Sequence, residues 1–352
     1  MADAAKSDAA PVLEGWSPLT QCLDWNLGQL SWQSRGTQAF TTNEVPNLVN
    51  QAGMAAYRAA EVLYSACEEA QAAEQLPDEI CAMEMAIGLG LFSLQVLDRF
   101  EVLCTARGTD WYSRLTWYAT DVTPKMLVDA KANGVFERHA ERVVLGLVDA
   151  LNPQWLKRID TGETLELTGR LFAVFHSYVL SLLPANLYCR RTLGQDKQWA
   201  VVMAQTVLRQ QDALSQFTDL SIDQVKALAA SSKFEDLQRL VPLYPLLDLN
   251  LTLAEVTEHD ANVEADITAV AELLEEALGD DDNVKVADAD NERLTWVLHS
   301  LGADASIERT LQILHPHGLL LYRDYGPSIA ERAQLSSLYQ HYGSATAMGI
   351  NH

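Results

Sequence analysis

A chain of 352 residues, 48% hydrophobic and 21% charged, has material for one large globular domain or two modest ones. A formal net charge of -23 disfavours tight nucleic-acid binding, which needs basic surface. No apolar run reaches the roughly 18–20 residues of a membrane span, so neither a nucleic acid nor a membrane is an expected partner.

The first residues, Met1-Ala-Asp-Ala-Ala-Lys-Ser-Asp8, lack the basic start and apolar core of a secretory signal and read as a short disordered lead. Residues 12–40 hold Trp16, Trp25 and Trp32 among polar residues, as in an irregular or short-helical segment packed on the main body. Turn-type residues Thr41-Thr42-Asn43-Glu44 precede a helix predicted over Pro46–Gln71, where Leu48, Ala52, Ala55, Ala59, Val62 and Ala66 recur at helical spacing. Residues 1–78 thus read as a lead and N-terminal helical extension.

Strand and helix then alternate over residues 79–190. Ala82–Ile87 is strand-like and Leu91–Leu103 helical, with Gly88 and Gly90 in the turn between them. Leu115–Thr120 is strand-like and ends at Asp121; Pro124–Asn133 is helical. Arg142–Val148 is strand-like and ends at Asp149, and Leu171–Phe175 ends near His176. Such alternation predicts an α/β fold, a mostly parallel sheet with helices on both faces.

Trp199–Leu278 reads as almost wholly helical, broken at Pro242 and Pro245 and closed by the polar turn Gly279–Asn283. Residues 191–283 are therefore expected to form a helical cap inserted over the site. Between Asp248 and Glu292 stand fifteen acidic residues and one base, Lys285, or -14 of the net -23. A solvated helix face accounts for that run; a cationic partner is the functional alternative. Helix and strand resume with Arg293–Leu301 and Gly318–Arg323, the latter ending at Asp324-Tyr325-Gly326, and Ser344–Ile350 reads as a last strand. Residues 284–352 would complete the core.

Cys22, Cys67, Cys81, Cys104 and Cys189 are odd in number and scattered, with no C-x-x-C. That argues against a disulfide framework or zinc site and suits a reducing, cytoplasmic compartment. His315-Pro-His317 has the spacing of a turn before a strand, and Asp280-Asp-Asp-Asn283 lacks the glycine and closing glutamate of a calcium loop, so no metal is expected.

The chemistry concentrates at strand ends. Glycines let the backbone turn sharply and let a ligand approach where a Cβ would stand. In open α/β sheets ligands sit at the carboxyl ends of strands. Asp121 closes the second strand, where a carboxylate can take both ribose hydroxyls; Asp149 closes the third, beside the adenine position; Asp324 closes a later strand on the same rim. An adenosine-bearing cofactor is the expectation. A nicotinamide dinucleotide fits less well: Ser93 stands where G-x-G-x-x-G needs its third glycine, and Asp121 lies 31 residues after Gly90 (121 minus 90) where about 20 is expected.

Glu84-Met-Ala-Ile-Gly-Leu-Gly90 resembles the E-x-G-x-G-x-G first motif of class I S-adenosylmethionine-dependent methyltransferases, with Ala86 in place of the first motif glycine. Tyr118-Ala-Thr-Asp-Val-Thr-Pro-Lys-Met-Leu127 resembles their second motif and Val148-Asp-Ala150 their third. Among these enzymes the chain resembles the MidA-like branch. Phe40-Thr-Thr-Asn-Glu-Val-Pro46 is similar to its threonine-bearing segment, Ser177-Tyr-Val-Leu-Ser-Leu-Leu-Pro184 to its N-E-x-x-D-x-L-P segment, and Leu319–Gly326 to its late D-Y-G strand. The likeness spans roughly residues 40–190 and 293–350.

The resemblance implies a Rossmann-like class I methyltransferase sheet and S-adenosyl-L-methionine as cofactor, held by Glu84, Ala86, Gly88, Leu89, Gly90, Asp121, Val122, Asp149 and Ala150. A sulfonium methyl is already activated, so such a protein mainly aligns nucleophile, methyl and sulfur, adding a base only where the nucleophile keeps its proton. His176 is the candidate base or orienting group and Tyr178 the residue facing the methyl group; Thr42, Asp324 and Tyr325 would line the substrate side. The branch is associated with protein arginine methylation, and the acceptor here stays open between a protein arginine and a sizeable small molecule. Ser177, Tyr178 and Ser181 depart from the branch's N-E and Asp. Those departures leave a second reading, a non-catalytic binding or assembly protein of the same shape.

Overall fold

Ile80–Met85 is buried at every position, as a strand covered on both faces must be. It is the central strand of the main sheet in the computed structural model, which describes residues 10–41, 53–193, 196–231, 233–255, 267–272, 293–324, 339–342 and 345–348. Strands are numbered along the chain from β1 (Ser17–Pro18), which lies in a second sheet. The main sheet holds β2 (Ile80–Met85), β3 (Leu115–Asp121), β4 (Val143–Asp149), β5 (Asn152–Arg158), β6 (Thr164–Glu166), β7 (Leu171–Ser177) and β12 (Leu314–Arg323), in the order β12-β7-β2-β3-β4-β5-β6. The five strands from β12 to β4 are parallel; β5 and β6 extend the β4 edge antiparallel.

The chain therefore steps from β2 to β3 to β4 in one direction, then crosses to β7 and β12 on the other side of β2. That reversal opens a crevice at the carboxyl end of β2, between the connections that leave it and β7. Helices α3 (Gly53–Ala72) and α4 (Leu91–Arg107) cover one face: Ala56, Leu63, Val96 and Phe100 pack with Ala82, Trp117 and Phe175. Trp117 stacks on Phe175 at 5.3 Å and 24°, a pairing that contributes about 0.5–1.5 kcal/mol beyond burial. Helix α9 (Leu301–Ile313) covers the other face, where Ala303 and Ile313 meet Met83, Met85 and Val174. Between β3 and β4, α5 (Pro124–Ala132) starts with proline at its first turn, where a missing N–H costs nothing.

Among the described residues of 191–283, much of the expected helical cap is strand instead. Strands β8 (Asn186–Leu193), β9 (Asp196–Leu208), β10 (Leu247–Glu255) and β11 (Arg293–His299) join β1 in a second, antiparallel sheet. Its order is β1-β9-β8-β11, with β10 also paired to β9. The reason is visible in β10: Leu247, Leu249, Leu251 and Leu253 alternate with polar residues, the period of a half-exposed strand. Among the described residues between β9 and β11, helix falls in α6 (Leu214–Phe217), α7 (Ile222–Ser231) and α8 (Phe234–Leu240), before β10, and in the short stretch 267–272 after it. Arg293–His299 is likewise strand, and the helix follows it at α9, so the division at residue 284 cuts through this second module.

The N-terminal segment belongs partly to that module. Leu23 and Leu27 of α1 (Leu23–Arg35) pack with Leu208, Leu240, Leu243 and Tyr244. A short helix, α2 (Gln38–Thr41), follows. The start of the helix predicted from Pro46 lies outside the described residues. His315 and His317 lie within β12, not in a turn before it. The last predicted strand forms a hairpin apart from both sheets, β13 (Tyr339–Tyr342) with β14 (Ala345–Met348). No helix among the described residues is long and apolar enough to cross a membrane.

Candidate functional site

The turn after β2 has left-handed backbone at three positions: Ala86 at φ +60°, Gly88 at +52° and Gly90 at +76°. Only two of the three are glycine, so Ala86 carries a strain of about 1–2 kcal/mol. The turn is tied down at both ends. The Gly90 N–H donates to Ile87 O at 2.7 Å, and the Ile87 N–H donates to Thr120 O of β3 at 2.9 Å. A Cβ on Gly90 would stand 2.9 Å from Phe136 Cζ, and one on Gly88 would stand 3.0 Å from Phe40 Cζ. The Phe40 ring, itself edge-on to Trp32 at 5.1 Å, thus lies against the glycine turn.

Glu84 precedes the turn and is 2% exposed. Its Oε2 accepts the Ser93 N–H at 3.1 Å and the Ser93 hydroxyl, whose oxygen in turn accepts the Trp117 indole N–H at 2.7 Å. Thr120 Oγ1 donates to the Glu84 carbonyl at 2.7 Å. Burial pushes the Glu84 carboxyl up to about 8 against the opposing Ser93 bonds, so it is mainly neutral at pH 7.

Asp121 ends β3, the neighbour of β2 on the side away from β7, and is 4% exposed. Its Oδ1 accepts the Thr123 N–H at 2.8 Å, and the Gly88 and Val122 amides also favour its charged form. Burial dominates and raises it to about 6, which leaves it mostly ionised at pH 7. Asp121 therefore couples the end of β3 to the glycine turn. The neighbouring Val122 is exposed, and Leu89 is partly buried on the turn itself. At the end of β4, Asp149 is exposed and its Oδ1 accepts the Leu151 N–H at 2.9 Å, while Ala150 is buried.

The β7–β12 rim differs from expectation. His176 is 2% exposed, and its Nε2 meets Thr310 Oγ1 of α9 at 3.4 Å, on the face away from α4. Burial lowers it to about 4, so it is neutral, and its Nδ1 has no partner. A group placed so is a core histidine packed under α9, not a base on the rim. Tyr178 follows the strand at φ +58°, its N–H donating to Arg323 O at 2.8 Å and its ring beneath the Arg323 guanidinium at 4.6 Å. Asp324 Oδ2 accepts the Ser181 N–H at 3.0 Å, which ties the end of β12 to the segment after β7. Thr42 and Tyr325 lie outside the described residues.

The structure thus gathers Glu84, Ala86, Gly88, Gly90 and Asp121 at one crevice and separates His176 from it. It adds Phe40, Ser93, Trp117 and Arg323. Arg323 had a readable signal, a lone base at the end of the apolar run Leu319-Leu320-Leu321-Tyr322. Phe40 had none, since nothing local marks its approach to Gly88.

No family model and no curated protein matches the chain. Among solved structures, an uncharacterized ACR, COG1565 superfamily protein from Burkholderia thailandensis aligns with a TM-score of 0.52 at 11% identity, over 96% of this chain and 68% of that one. The two share a fold. A second COG1565 superfamily structure from the same organism, bound to S-adenosyl-homocysteine, aligns with a TM-score of 0.49 at 10% identity, over 96% of this chain and 70% of that one.

Proposed function

We propose that the chain is a class I S-adenosylmethionine-dependent methyltransferase, similar to the MidA-like branch. The observation that carries this reading is Asp121, a buried carboxylate at the end of β3, one strand from the strand-order reversal at β2 and coupled through the Gly88 amide to a turn with two left-handed glycines. A nucleoside in an open α/β sheet lies across such a reversal.

The residues fit an adenosine-bearing cofactor. Ala86, Gly88, Leu89 and Gly90 would form the floor, with neutral Glu84 beneath them. Asp121 and Val122 would take the ribose, and Asp149 and Ala150 the adenine side. When bound, the cofactor supplies an activated methyl group. The chain's own share is alignment and exclusion of water: the Phe40 ring walls the crevice over Gly88, and Asp121 accepts from hydroxyl donors. Tyr178 and Asp324 would face the acceptor, a protein arginine or a sizeable small molecule, and the second sheet would cap it. Five free, buried thiols suit a cytoplasmic setting.

Calorimetry should detect S-adenosylmethionine or S-adenosylhomocysteine binding, and Asp121→Asn should remove most of it while the protein stays folded. Undiminished binding by that variant would overturn the assignment, and tight NADH binding in a fluorescence titration would favour a nicotinamide enzyme instead. One observation favours a binding protein without catalysis: the buried, neutral His176 leaves the rim without the expected base. Cofactor binding with no label transferred to any component of a cell extract would select it.

A further inference from the structure

Arg323 is the last residue of β12, and its guanidinium spans the crevice mouth. Its Cζ lies 4.6 Å from the ring centroid of Tyr178 and 6.0 Å from that of Phe92, the second residue of α4. One terminal nitrogen donates to Ser177 Oγ at 3.2 Å, and Nε is buried with no partner. Arg323 makes no ion pair among the described residues. The chain carries 48 acids against 25 bases, and other arginines find them: Arg138 pairs with Asp98 and Glu101, Arg158 with Asp160. Glu84 feels the Arg323 charge, but that carboxyl is mainly neutral.

A guanidinium partly withdrawn from water with an unpaired donor is costly unless an anion completes it. Its planar fork matches a carboxylate, with two parallel N–H···O bonds. The fork is also held in place. Tyr178, in a strained left-handed conformation, is bonded to the Arg323 backbone and stacked under its side chain.

We infer that Arg323 is a carboxylate-recognition residue of the crevice, reading a ligand carboxylate held over the start of α4. The inference rests on the crevice being the ligand site. The carboxylate could come from the amino-acid end of the cofactor or from the acceptor, and the two sources separate experimentally.

Calorimetry would compare S-adenosylhomocysteine with 5′-methylthioadenosine, which keeps the nucleoside and lacks the carboxylate, on wild type, Arg323→Met and Arg323→Lys. Labelling of Arg323 by phenylglyoxal in the wild type, read by mass spectrometry, needs no variant to fold. For a cofactor carboxylate, Arg323→Met weakens S-adenosylhomocysteine roughly ten- to a hundredfold and leaves methylthioadenosine unchanged, with Arg323→Lys intermediate. For an acceptor carboxylate, neither affinity changes, and succinate slows the labelling of Arg323 in the S-adenosylhomocysteine complex. Unchanged affinities together with labelling that neither S-adenosylhomocysteine nor succinate slows would overturn the inference. Should the wild type bind neither nucleoside, the cofactor reading falls alone, and succinate protection of Arg323 still decides the carboxylate site.

Discussion

The edge of the Phe40 ring lies against Gly88, so that a Cβ on that glycine would stand 3.0 Å from Phe40 Cζ. A residue near the start of the chain thereby closes the turn that the central strand opens. Gly88→Ala should cost about 2 kcal/mol, since it adds left-handed strain and crowds the ring. In a Phe40→Ala background the same change should cost only the strain, about 1 kcal/mol, although Phe40→Ala itself destabilises by about 3–5 kcal/mol. A double-mutant cycle from urea titrations measures the coupling, and additive costs would show that the two residues do not touch.

Ala86 should respond in the opposite sense to an ordinary alanine. Ala→Gly usually destabilises because glycine has more freedom to lose, but here it removes a left-handed Cβ. Ala86→Gly should be neutral or stabilising by up to about 1 kcal/mol. A loss of stability in denaturant titrations would mean that the methyl group packs usefully.

Glu84 predicts a pH dependence on the alkaline side. Its folded-state value is raised from 4.5 to about 8, so the folded protein holds a proton that the unfolded chain releases. Its contribution is complete below pH 4.5 and is lost as pH rises through 8. Between pH 6.5 and 8 Asp121 adds little, and the last of the His176 titration offsets only about a few tenths of a kcal/mol. Stability should therefore fall by about 1–1.5 kcal/mol between pH 6.5 and 8, and Glu84→Gln should flatten that slope. A wild-type profile already flat over this range would show that Glu84 is ionised in the fold.

His176 predicts the reverse on the acid side. Its value is lowered from 6.5 to about 4, so the folded state refuses a proton that the unfolded chain accepts. The stability it contributes is present above pH 6.5 and is lost as pH falls toward 4. His176→Leu should remove that loss, stay within about 1 kcal/mol of wild type at pH 7, and leave S-adenosylhomocysteine affinity unchanged. A tenfold weaker affinity in calorimetry would return His176 to the crevice.

The parallel core was legible because its strands are buried on both faces and read as apolar runs between turn residues: Ala82–Ile87, Leu115–Thr120 and Leu171–Phe175 all fall within or across observed strands. What escaped was strand that does not look apolar. Asn152–Arg158 is a partly exposed strand near the sheet edge with Lys157 and Arg158 in it, and β10 alternates leucine with polar residues among helical neighbours. For His176 the strand end was legible and the face was not. Adjacent strand positions point to opposite faces, and the run Leu171–Ser177 is nearly uniform in burial, so nothing in it says which side His176 takes.

The neighbouring strands β7 and β12 pair in parallel, yet β8 to β11 and the helices α6 to α9 come between them in the chain. As the polypeptide emerges from the ribosome, the rim that carries Ser177 and Tyr178 forms long before Arg323 exists to complete it. The open edge of β7 has to wait while the second sheet is made, with unpaired amides available to any passing strand. Closing so wide a loop is slow more than it is costly, because the entropy of closure grows only with the logarithm of length. The crevice therefore matures only after the strands of the second sheet have been made.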